Sequence, residues 1–210
     1  AALGDYLGSP DRVLDVGSAD GPSVRWMRGE HWQTSLDLDP RGLRSGEGVC
    51  ASALALPFKD ESFDVVGAFD VVEHCEHESV ALDELGRVLV RGGRLLLSVP
   101  AYQWAWTDHD IRAGHYRRYS KPAIVDAVQR AGLVVQRATY GFGAVFPVFM
   151  AERVIRRIRH HQTQQVNEIQ HVPAAVERLL MGLTKVDVTV LKRGNLPFGS
   201  SVFLAATKPQ

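Results

Sequence analysis

The sequence is poor in cysteine, in net charge and in long apolar runs. Cys50 and Cys75 are the two cysteines among 210 residues, too few for a disulfide framework and typical of a reducing compartment. Lys and Arg together number 24, as do Asp and Glu, so no global field attracts nucleic acid or an acidic surface. No apolar run reaches the ~18 residues of a bilayer-spanning helix, and no signal peptide is evident. These absences predict a cytoplasmic protein without a nucleic-acid partner.

What the sequence does have is enough apolar residues for one substantial core. Hydrophobic residues make up 45% of the chain, and its length favours a single domain, 1–210, over two full domains. Amphipathic spacing predicts helices at about 81–89, ending at Gly92-Gly93, and at 120–131. Short, nearly continuous apolar runs predict buried strands at 12–16, 34–38, 63–69, 94–99, 133–140 and 202–207. Strands that alternate with helices predict a parallel, doubly wound α/β sheet.

A long insertion, 141–200, separates the last two predicted strands. A segment of that length in a compact domain should carry structure or function, and two helices are predicted in it, at 145–159 and 173–183, joined by a polar connector at 162–170. The first helix has an apolar half followed by Arg153, Arg156, Arg157 and Arg159. This pattern suits a peripheral membrane contact, a lid packed on the sheet or a contact in a homodimer, and the sequence leaves these alternatives open.

The strongest motif is a D-x-G-x-x-x-G turn, Asp15 to Gly21, directly after the first predicted strand. Gly17 and Gly21 lack the Cβ atoms that would keep a ligand away from the backbone, and a helix predicted to follow would offer free N–H groups. Asp37 stands 22 positions after Asp15, at the end of the second strand, where a carboxylate can accept both ribose hydroxyls. Together these residues predict a nucleotide-like ligand, although a glycine turn alone is as often only a turn.

Two further segments extend this pattern. Residues 56–66, LPFKDESFDVV, and 84–95, ELGRVLVRGGRL, resemble the LPF-x-D-x-SFDVV and E-x-x-RVL-x-x-GG-x-L segments of the class I S-adenosylmethionine-dependent methyltransferases. With the glycine turn, the resemblance covers about residues 12–140. It implies a Rossmann-like sheet of seven strands, mostly parallel with the last antiparallel, and a helical insertion before the last strand. It also implies S-adenosyl-L-methionine as cofactor, with S-adenosyl-L-homocysteine as product.

The resemblance implies which residues line the cofactor. Carried over, Asp15 and Gly17 line its methionine end, Asp37 holds the ribose and Leu38 flanks the adenine. Ala19 stands where the family usually has Gly, and Ser52 where it usually has Asp, so adenine recognition is expected to be weaker or to use the backbone. The full set expected at the cofactor is Asp15, Gly17, Ser18, Gly21, Asp37, Leu38, Ser52, Ala53, Phe69, Asp70 and Val71.

Two other functions remain as alternatives. A nicotinamide-dependent oxidoreductase also uses a glycine turn and a ribose carboxylate, but its G-x-G-x-x-G motif is absent from the turn after the first strand. A non-catalytic protein could use the same fold to bind a partner.

Histidines near the fourth strand are the candidate catalytic residues. A hydroxyl acceptor is helped by a general base of pKa near 7, and histidine is the usual choice. His74 follows Asp70-Val71-Val72-Glu73 at the edge where such sheets bind ligands, and His115 is the second candidate. The alternative is that His74 merely caps or packs at a helix start. A cluster of Asp70, Glu73, His74, His77, His109 and His115 could also ligate a cation, but no metal is predicted, because such residues are common without one.

The segment after the fifth strand is the candidate acceptor site. Aromatic rings with arginines nearby suit a sugar, an aromatic ring or a phosphate, and the H-x-RRY segment at 115–119 resembles a subgroup of methyltransferase type 11 proteins, many found beside sugar- or lipid-modifying enzymes. A small-molecule, sugar or lipid-linked acceptor is therefore expected, with oxygen as the acceptor atom. The alternative is that Arg117 and Arg118 pair with surface carboxylates and the aromatics pack the insertion. The candidate substrate residues are Tyr102, Trp104, Trp106, His109, Tyr116, Arg117, Arg118 and Tyr119.

Overall fold

The computed structural model describes residues 2–43, 48–158 and 174–210. Seven strands form one sheet in the order β3-β2-β1-β4-β5-β7-β6, and β7 runs antiparallel to both of its neighbours while the others are parallel. This is the predicted fold, although the two-residue third strand gave no pattern in the sequence. The strands are β1 Arg12–Val16, β2 Trp32–Asp37, β3 Val49–Cys50, β4 Phe63–Phe69, β5 Leu89–Pro100, β6 Val134–Gly141 and β7 Ser201–Thr207.

Five α-helices accompany the sheet in the described residues: α1 Glu78–Val88, α2 Asp108–Ala113, α3 Lys121–Arg130, α4 Phe146–Ile158 and α5 Ala174–Leu191. The α3 helix has its predicted bounds, because the Ser120 hydroxyl accepts the Ala123 N–H at one end and Gly132 follows the other end with a φ of +77°. The α1 helix ends before Gly92-Gly93, not at them. Leu89 already pairs with Phe63 in the sheet. A β-bulge between Phe63 and Val65 of β4 separates this first pair from the regular pairing of β4 with β5 that follows.

The prediction of a helix after β1 was wrong. Between β1 and β2 the described chain forms an irregular loop whose one regular turn is a 3-10 turn at Arg25–Met27. Gly21-Pro22 and Gly29 bracket a segment too short and too poor in helical periodicity to sustain an α-helix. Met27 instead buries its side chain against β4, where a Cβ on Gly67 would lie 3.0 Å from Met27 Cε.

The insertion is helical, as predicted, with different bounds. The α4 helix begins at Phe146, whereas Arg159, the connector 162–170 and Pro173 lie outside the described residues. The α5 helix continues eight residues past its predicted end at 183, through a β-branched segment of low helix propensity. Packing overrides propensity there, because Leu191 is buried and Asp187 accepts the Ala144 N–H at 2.9 Å. No described helix is long and apolar enough to cross a membrane.

Arg87 ties α1 to the loop before β4. Its guanidinium donates to Glu84 at 2.6 Å, to Asp60 at 2.8 Å and to the carbonyls of Phe58 and Leu56 at 2.8 and 3.0 Å. The planar guanidinium has five N–H donors in fixed directions and can bond to all these acceptors at once, which the ammonium group of a lysine could not. The arginine of the RVL-x-x-GG segment therefore anchors the LPF segment, so the two sequence motifs are one structural unit.

Replacing Arg87 with Ala is expected to lower the free energy of unfolding by about 2–4 kcal/mol, because it removes several charge-assisted hydrogen bonds and leaves Glu84 half-buried without its partner. The matched control is Arg130→Ala on α3, whose partner Asp126 is exposed, with an expected change under about 0.5 kcal/mol. Urea denaturation of both variants measures the difference. Equal losses would refute the anchoring role.

Candidate functional site

The glycine turn presses against the chain that follows β4. Gly17 has a φ of +71°, and its N–H donates to the Leu36 carbonyl at 2.7 Å. A Cβ at Gly17 would lie 2.5 Å from Val71 Cγ2, so only glycine allows the two segments to approach this closely. Gly21 is also left-handed, and a Cβ there would meet Ser35 Oγ at 2.5 Å. Both glycines are thus required by the protein's own packing, beyond any ligand.

Two details explain how the turn departs from the family pattern. Ala19 has a φ of +48°, a conformation that glycine adopts more easily, so the alanine keeps the same backbone at some strain. Ser18 is nearly buried, and its hydroxyl donates to the Asp15 carbonyl at 3.0 Å. The turn therefore keeps its shape despite the substitution at position 19.

Asp15 is fully buried beneath the turn. Its carboxylate accepts the Ser23 N–H at 2.6 Å and the Ser23 hydroxyl at 2.9 Å. Burial raises the pKa of Asp15, and the two bonds from Ser23 oppose that rise. The carboxylate thus fixes the loop between β1 and β2 rather than standing open at its surface.

Asp37 and Leu38 lie where the ribose and adenine were predicted. Asp37 accepts the N–H groups of Ala19 and Asp39, both at 2.9 Å, which orients its carboxylate and leaves lone pairs for further donors. Leu38 is 71% exposed, an apolar surface at the sheet edge that a planar ring could cover. Ser52 and Ala53 are half-buried, and the Ser52 hydroxyl accepts the Leu54 N–H at 3.1 Å.

Phe69, Asp70 and Val71 form the other wall of this edge. Phe69 meets Trp26 edge to face with ring centroids 5.9 Å apart. Asp70 has a φ of +54° and accepts the Ser98 hydroxyl at 3.2 Å, while Val71 lies against Gly17. The residues carried over for the cofactor therefore come together at the carboxyl ends of β1, β2 and β4, where open α/β sheets bind ligands.

Asp110 is a buried carboxylate at the centre of the segment after β5. It accepts Arg118 Nε at 2.7 Å, His115 Nδ1 at 2.9 Å and the Thr107 N–H at 2.8 Å, and none of its surface is exposed. Burial would raise the pKa of Asp110, but the bonds from Arg118, Thr107 and His115 hold it at about 2. Asp110 also closes a capping box with Thr107 at the start of α2.

Glu73, His74 and His115 converge beside this carboxylate. One ligand-type atom from each lies within 4.8 Å of the other two, and the imidazole centroids of His74 and His115 are 4.6 Å apart. Glu73 is fully buried, His115 is half-buried and His74 is exposed. The other candidate ligands, Asp70, His77 and His109, do not join this group in the described structure.

The group carries unusual protonation equilibria. Burial, with a contribution from Asp70, raises the pKa of Glu73 to about 8. Burial and the neighbouring His115 lower the pKa of His74, which favours its neutral form, while hydrogen bonding with the backbone of Gly114 opposes that effect. A neutral imidazole can accept a proton or bind a cation.

The H-x-RRY segment is fastened to the rest of the fold. The Tyr116 N–H donates to the Glu73 carbonyl at 2.7 Å, and Arg117 pairs with Glu78 at 3.2 Å. Tyr119 is buried, and its hydroxyl donates to Glu78 at 2.6 Å. Since Arg118 is bound to buried Asp110, both arginines are in carboxylate pairs, as the alternative interpretation of this segment held, although one of those carboxylates is buried. Contact of Arg117, Arg118 or Tyr119 with an acceptor stays a prediction.

An aromatic cluster connects the segment after β5 to the insertion. Its rings belong to Tyr102, Trp104, Tyr140, Phe146, Phe149 and Phe198. Tyr102 stacks on Tyr140 with centroids 5.3 Å apart, and burial together with a hydrogen bond to Tyr140 raises the pKa of Tyr102 to about 12. Trp104 and Tyr116 are exposed, as is His109, while Trp106 is half-buried.

Helix α4 lies over this cluster. Arg153 donates to the Thr107 hydroxyl at 2.9 Å, and its guanidinium stacks 4.8 Å from the centroid of Phe149. The first turns of α4 therefore pack on the aromatic cluster and on Thr107, whereas the side chains of Arg156 and Arg157 and all of Arg159 lie outside the described residues.

Asp110 and Ser23 are site residues that sequence reasoning missed. Thr107-x-x-Asp110 followed by Gly114 is a helix-cap spacing that could have identified Asp110 as structurally committed. No local signal connects Ser23 to Asp15, because their contact depends on an irregular loop.

Comparison with known proteins shows which proteins this chain resembles. Residues 14–97 match a family described as a methyltransferase domain. A malonyl-[acyl-carrier protein] O-methyltransferase of Erwinia pyrifoliae is 34% identical over 166 residues, which are 72% of this chain and 63% of that relative. The chain thus spans a little under two thirds of the length of this curated relative.

Solved structures share the fold at low identity. Phosphoethanolamine N-methyltransferase 2 of Haemonchus contortus, in complex with S-adenosyl-L-methionine, superposes with a TM-score of 0.60 at 18% identity and covers all of this chain and 52% of its own. The [4+2]-cyclase SpnF superposes with a TM-score of 0.56 at 20% identity, covering 99% of this chain and 80% of its own. Such low identity shows the shared fold alone.

Changing Gly17 to Ala is expected to lower the free energy of unfolding by about 2–4 kcal/mol, since it adds left-handed strain and a clash with Val71. Gly132→Ala, at a similar φ with open space around it, should show only the strain of about 1–2 kcal/mol. A double-mutant cycle with Val71→Ala, followed by denaturant melts, isolates the clash. Absence of coupling between positions 17 and 71 would contradict the close approach.

Proposed function

The chain belongs to the class I S-adenosylmethionine-dependent methyltransferases, and on that basis we propose that it transfers a methyl group to an oxygen atom of a small-molecule acceptor. Family membership brings S-adenosyl-L-methionine as the cofactor, as the sequence predicted. The structural observation that supports an oxygen acceptor is the close pair of imidazoles of His74 and His115, whose ring centroids are 4.6 Å apart.

The residues at this edge of the sheet fit S-adenosyl-L-methionine. Asp37 has lone pairs free for ribose hydroxyls, Leu38 offers an exposed apolar face for adenine, and Ala19 and Gly17 shape a bare backbone turn beside them. Asp15 acts from beneath by holding Ser23. The bound sulfonium supplies an electrophilic methyl group and leaves as a neutral thioether. The protein's task is then alignment and exclusion of water.

In the proposed reaction the acceptor oxygen forms a bond to the methyl carbon as the carbon–sulfur bond breaks. The electron pair of that bond remains on sulfur, and the hydroxyl proton leaves to the imidazole pair. The backbone N–H of His74 donates to the carbonyl of Val71, and Val71 lies against Gly17, so the turn that carries His74 adjoins the glycine turn. Asp110 orients the His115 ring through Nδ1, which leaves Nε2 free of that bond.

The aromatic cluster and α4 suggest where the acceptor's body lies. Exposed Trp104 has a ring suited to a sugar or an aromatic ring, and Arg153 adds a cation above Phe149. The Erwinia relative is named an O-methyltransferase, which supports oxygen as the acceptor atom. A lipid-linked acceptor, a peripheral membrane contact through 145–159 and a homodimer, which the sequence also left open, stay predictions.

A non-catalytic or non-methylating role is the second candidate. The structural likeness to a protein named a [4+2]-cyclase is a reminder that this fold serves more than one reaction. That candidate predicts cofactor binding without methyl transfer to any acceptor pool. Incubation of a cell extract with radiolabelled S-adenosylmethionine, sorted into lipid, small-molecule, protein and nucleic-acid fractions, separates the two.

Asp37→Asn is expected to weaken S-adenosylmethionine and S-adenosylhomocysteine binding roughly 10- to 100-fold, because a charged acceptor for the ribose hydroxyls is lost. Calorimetry with both compounds measures the change. Asp39→Asn, which alters an exposed carboxylate two residues away paired with Arg41, is the matched control and should bind normally. Unchanged affinity in Asp37→Asn would remove the ribose assignment.

His115→Ala and His74→Ala are each expected to reduce methyl transfer by about 10²- to 10⁴-fold while cofactor affinity is retained, because the acceptor's proton loses its destination. His31→Ala, at the amino end of β2, is the control. Turnover of the labelled product is measured once an acceptor fraction is known. Full activity in both variants would eliminate the imidazole role.

A further inference from the structure

We propose that Glu73, His74 and His115 bind one divalent transition-metal cation of the Zn²⁺ type, an inference that rests on the proposed methyl transfer and explains how the imidazole pair would assist it. The three residues sit on two separate segments, the turn after β4 and the chain after α2. Their convergence is a property of the tertiary structure and not of helical spacing.

The strongest observation is the Glu73 carboxylate. Its side chain is completely buried, and neither oxygen has a hydrogen-bond partner in another described residue. A buried carboxylate without a partner is costly, so such a group in a folded protein calls for an explanation. The nearby carboxylate Asp110 shows the contrast, since every side of it is bonded. A bound cation would give the Glu73 carboxylate the polar partner that no other described residue provides.

The geometry brings suitable ligand atoms within reach. One atom from each of the three side chains lies within 4.8 Å of the others. Bonds of about 2.1 Å around a tetrahedral cation place ligand atoms roughly 3.4 Å apart, so the side chains would close by up to about 1.4 Å. His74 is exposed, so its ring can move by that amount if it gives up its hydrogen bond with the backbone of Gly114.

The outer hydrogen bonds match those of metal-binding histidines. His115 Nδ1 bonds to Asp110, which leaves Nε2 as the ligand atom, and Arg118 in turn holds Asp110. A carboxylate–histidine–metal chain of this kind fixes the ring and its tautomer. The Glu73 carbonyl accepts the Tyr116 N–H, so the two ligand-bearing segments are already joined by the backbone.

The ligand types indicate the class of cation. Two imidazoles and one carboxylate favour Zn²⁺ and its first-row neighbours over Mg²⁺ or Ca²⁺, which prefer oxygen ligands. Three protein ligands leave a fourth position open, as in catalytic zinc sites. An acceptor hydroxyl approaching that position would lose its proton to solvent more readily, and the imidazoles would then act as ligands instead of proton acceptors.

Titration of the metal-free protein with Co²⁺ tests the proposal directly, with Zn²⁺ competition measured by calorimetry. The wild type should bind one Co²⁺ with the intense visible absorption of a four-coordinate ion. Glu73→Gln and His115→Ala should each lose that absorption and bind at least 10-fold more weakly. Glu76→Gln is the matched control, because Glu76 is exposed on the same segment, and it should behave as the wild type does. Circular dichroism of each variant verifies folding.

Equal Co²⁺ affinity and spectra in the wild type, Glu73→Gln and His115→Ala would overturn the site, as would no binding by the wild type. Failure of this site is distinguishable from failure of the proposed function, since cofactor binding by calorimetry and methyl incorporation are measured separately. Full methyl transfer after chelation would leave the methyltransferase proposal intact and refute a catalytic metal, whereas absent methyl transfer with intact Co²⁺ binding would refute only the proposed reaction.

Discussion

The need to give buried carboxyl groups hydrogen-bond partners governs the edge of this sheet. Asp15, Glu73 and Asp110 are all completely buried there, each in a different state. Asp15 is served by one serine, and Asp110 by an arginine, a histidine and a backbone N–H, so each fixes the loop that supplies its donors. Glu73 has no such donor in the described structure. The requirement of buried carboxyl groups for hydrogen-bond donors thus shapes the loops, and it singles out Glu73 as the group for which no other described residue supplies a donor.

Much of the fold was predictable from the sequence, because long apolar runs and capping residues act locally. Ser120 and Gly132 set both ends of α3 as expected. The helix predicted after β1 was wrong, since burial of Met27 depends on a neighbour distant in sequence. The same limitation hid β3, the length of α5 and the bonds of Asp110 to Arg118 and His115, although its cap spacing with Thr107 was readable. Which polar groups meet across loops is decided by tertiary packing, and no periodicity reports it.

In the candidate site, too, some residues could be predicted from local sequence patterns and others depend on tertiary packing. Gly17, Asp37 and Leu38 were identifiable because the cofactor turn is a contiguous motif with a fixed offset to the next strand. The proposed acceptor side is assembled from distant segments, so the sequence could name candidates such as His74 and His115 but not their grouping. It also could not foresee that Arg118 is committed to Asp110 and so stabilises the site from behind. Specificity is therefore best sought on the aromatic cluster and α4.

The strand order has a consequence for how the molecule is made. β7, the last strand in sequence, lies between β5 and β6, and Arg94 pairs with Thr207 across more than half the chain. Until β7 emerges, β6 has no neighbour in the sheet and β5 exposes an open hydrogen-bonding edge. Nascent protein would therefore carry an unpaired apolar edge from the completion of β5 until β7 emerges, about half of the chain. Slow, non-local closure of this kind favours aggregation and gives chaperones a specific segment to protect.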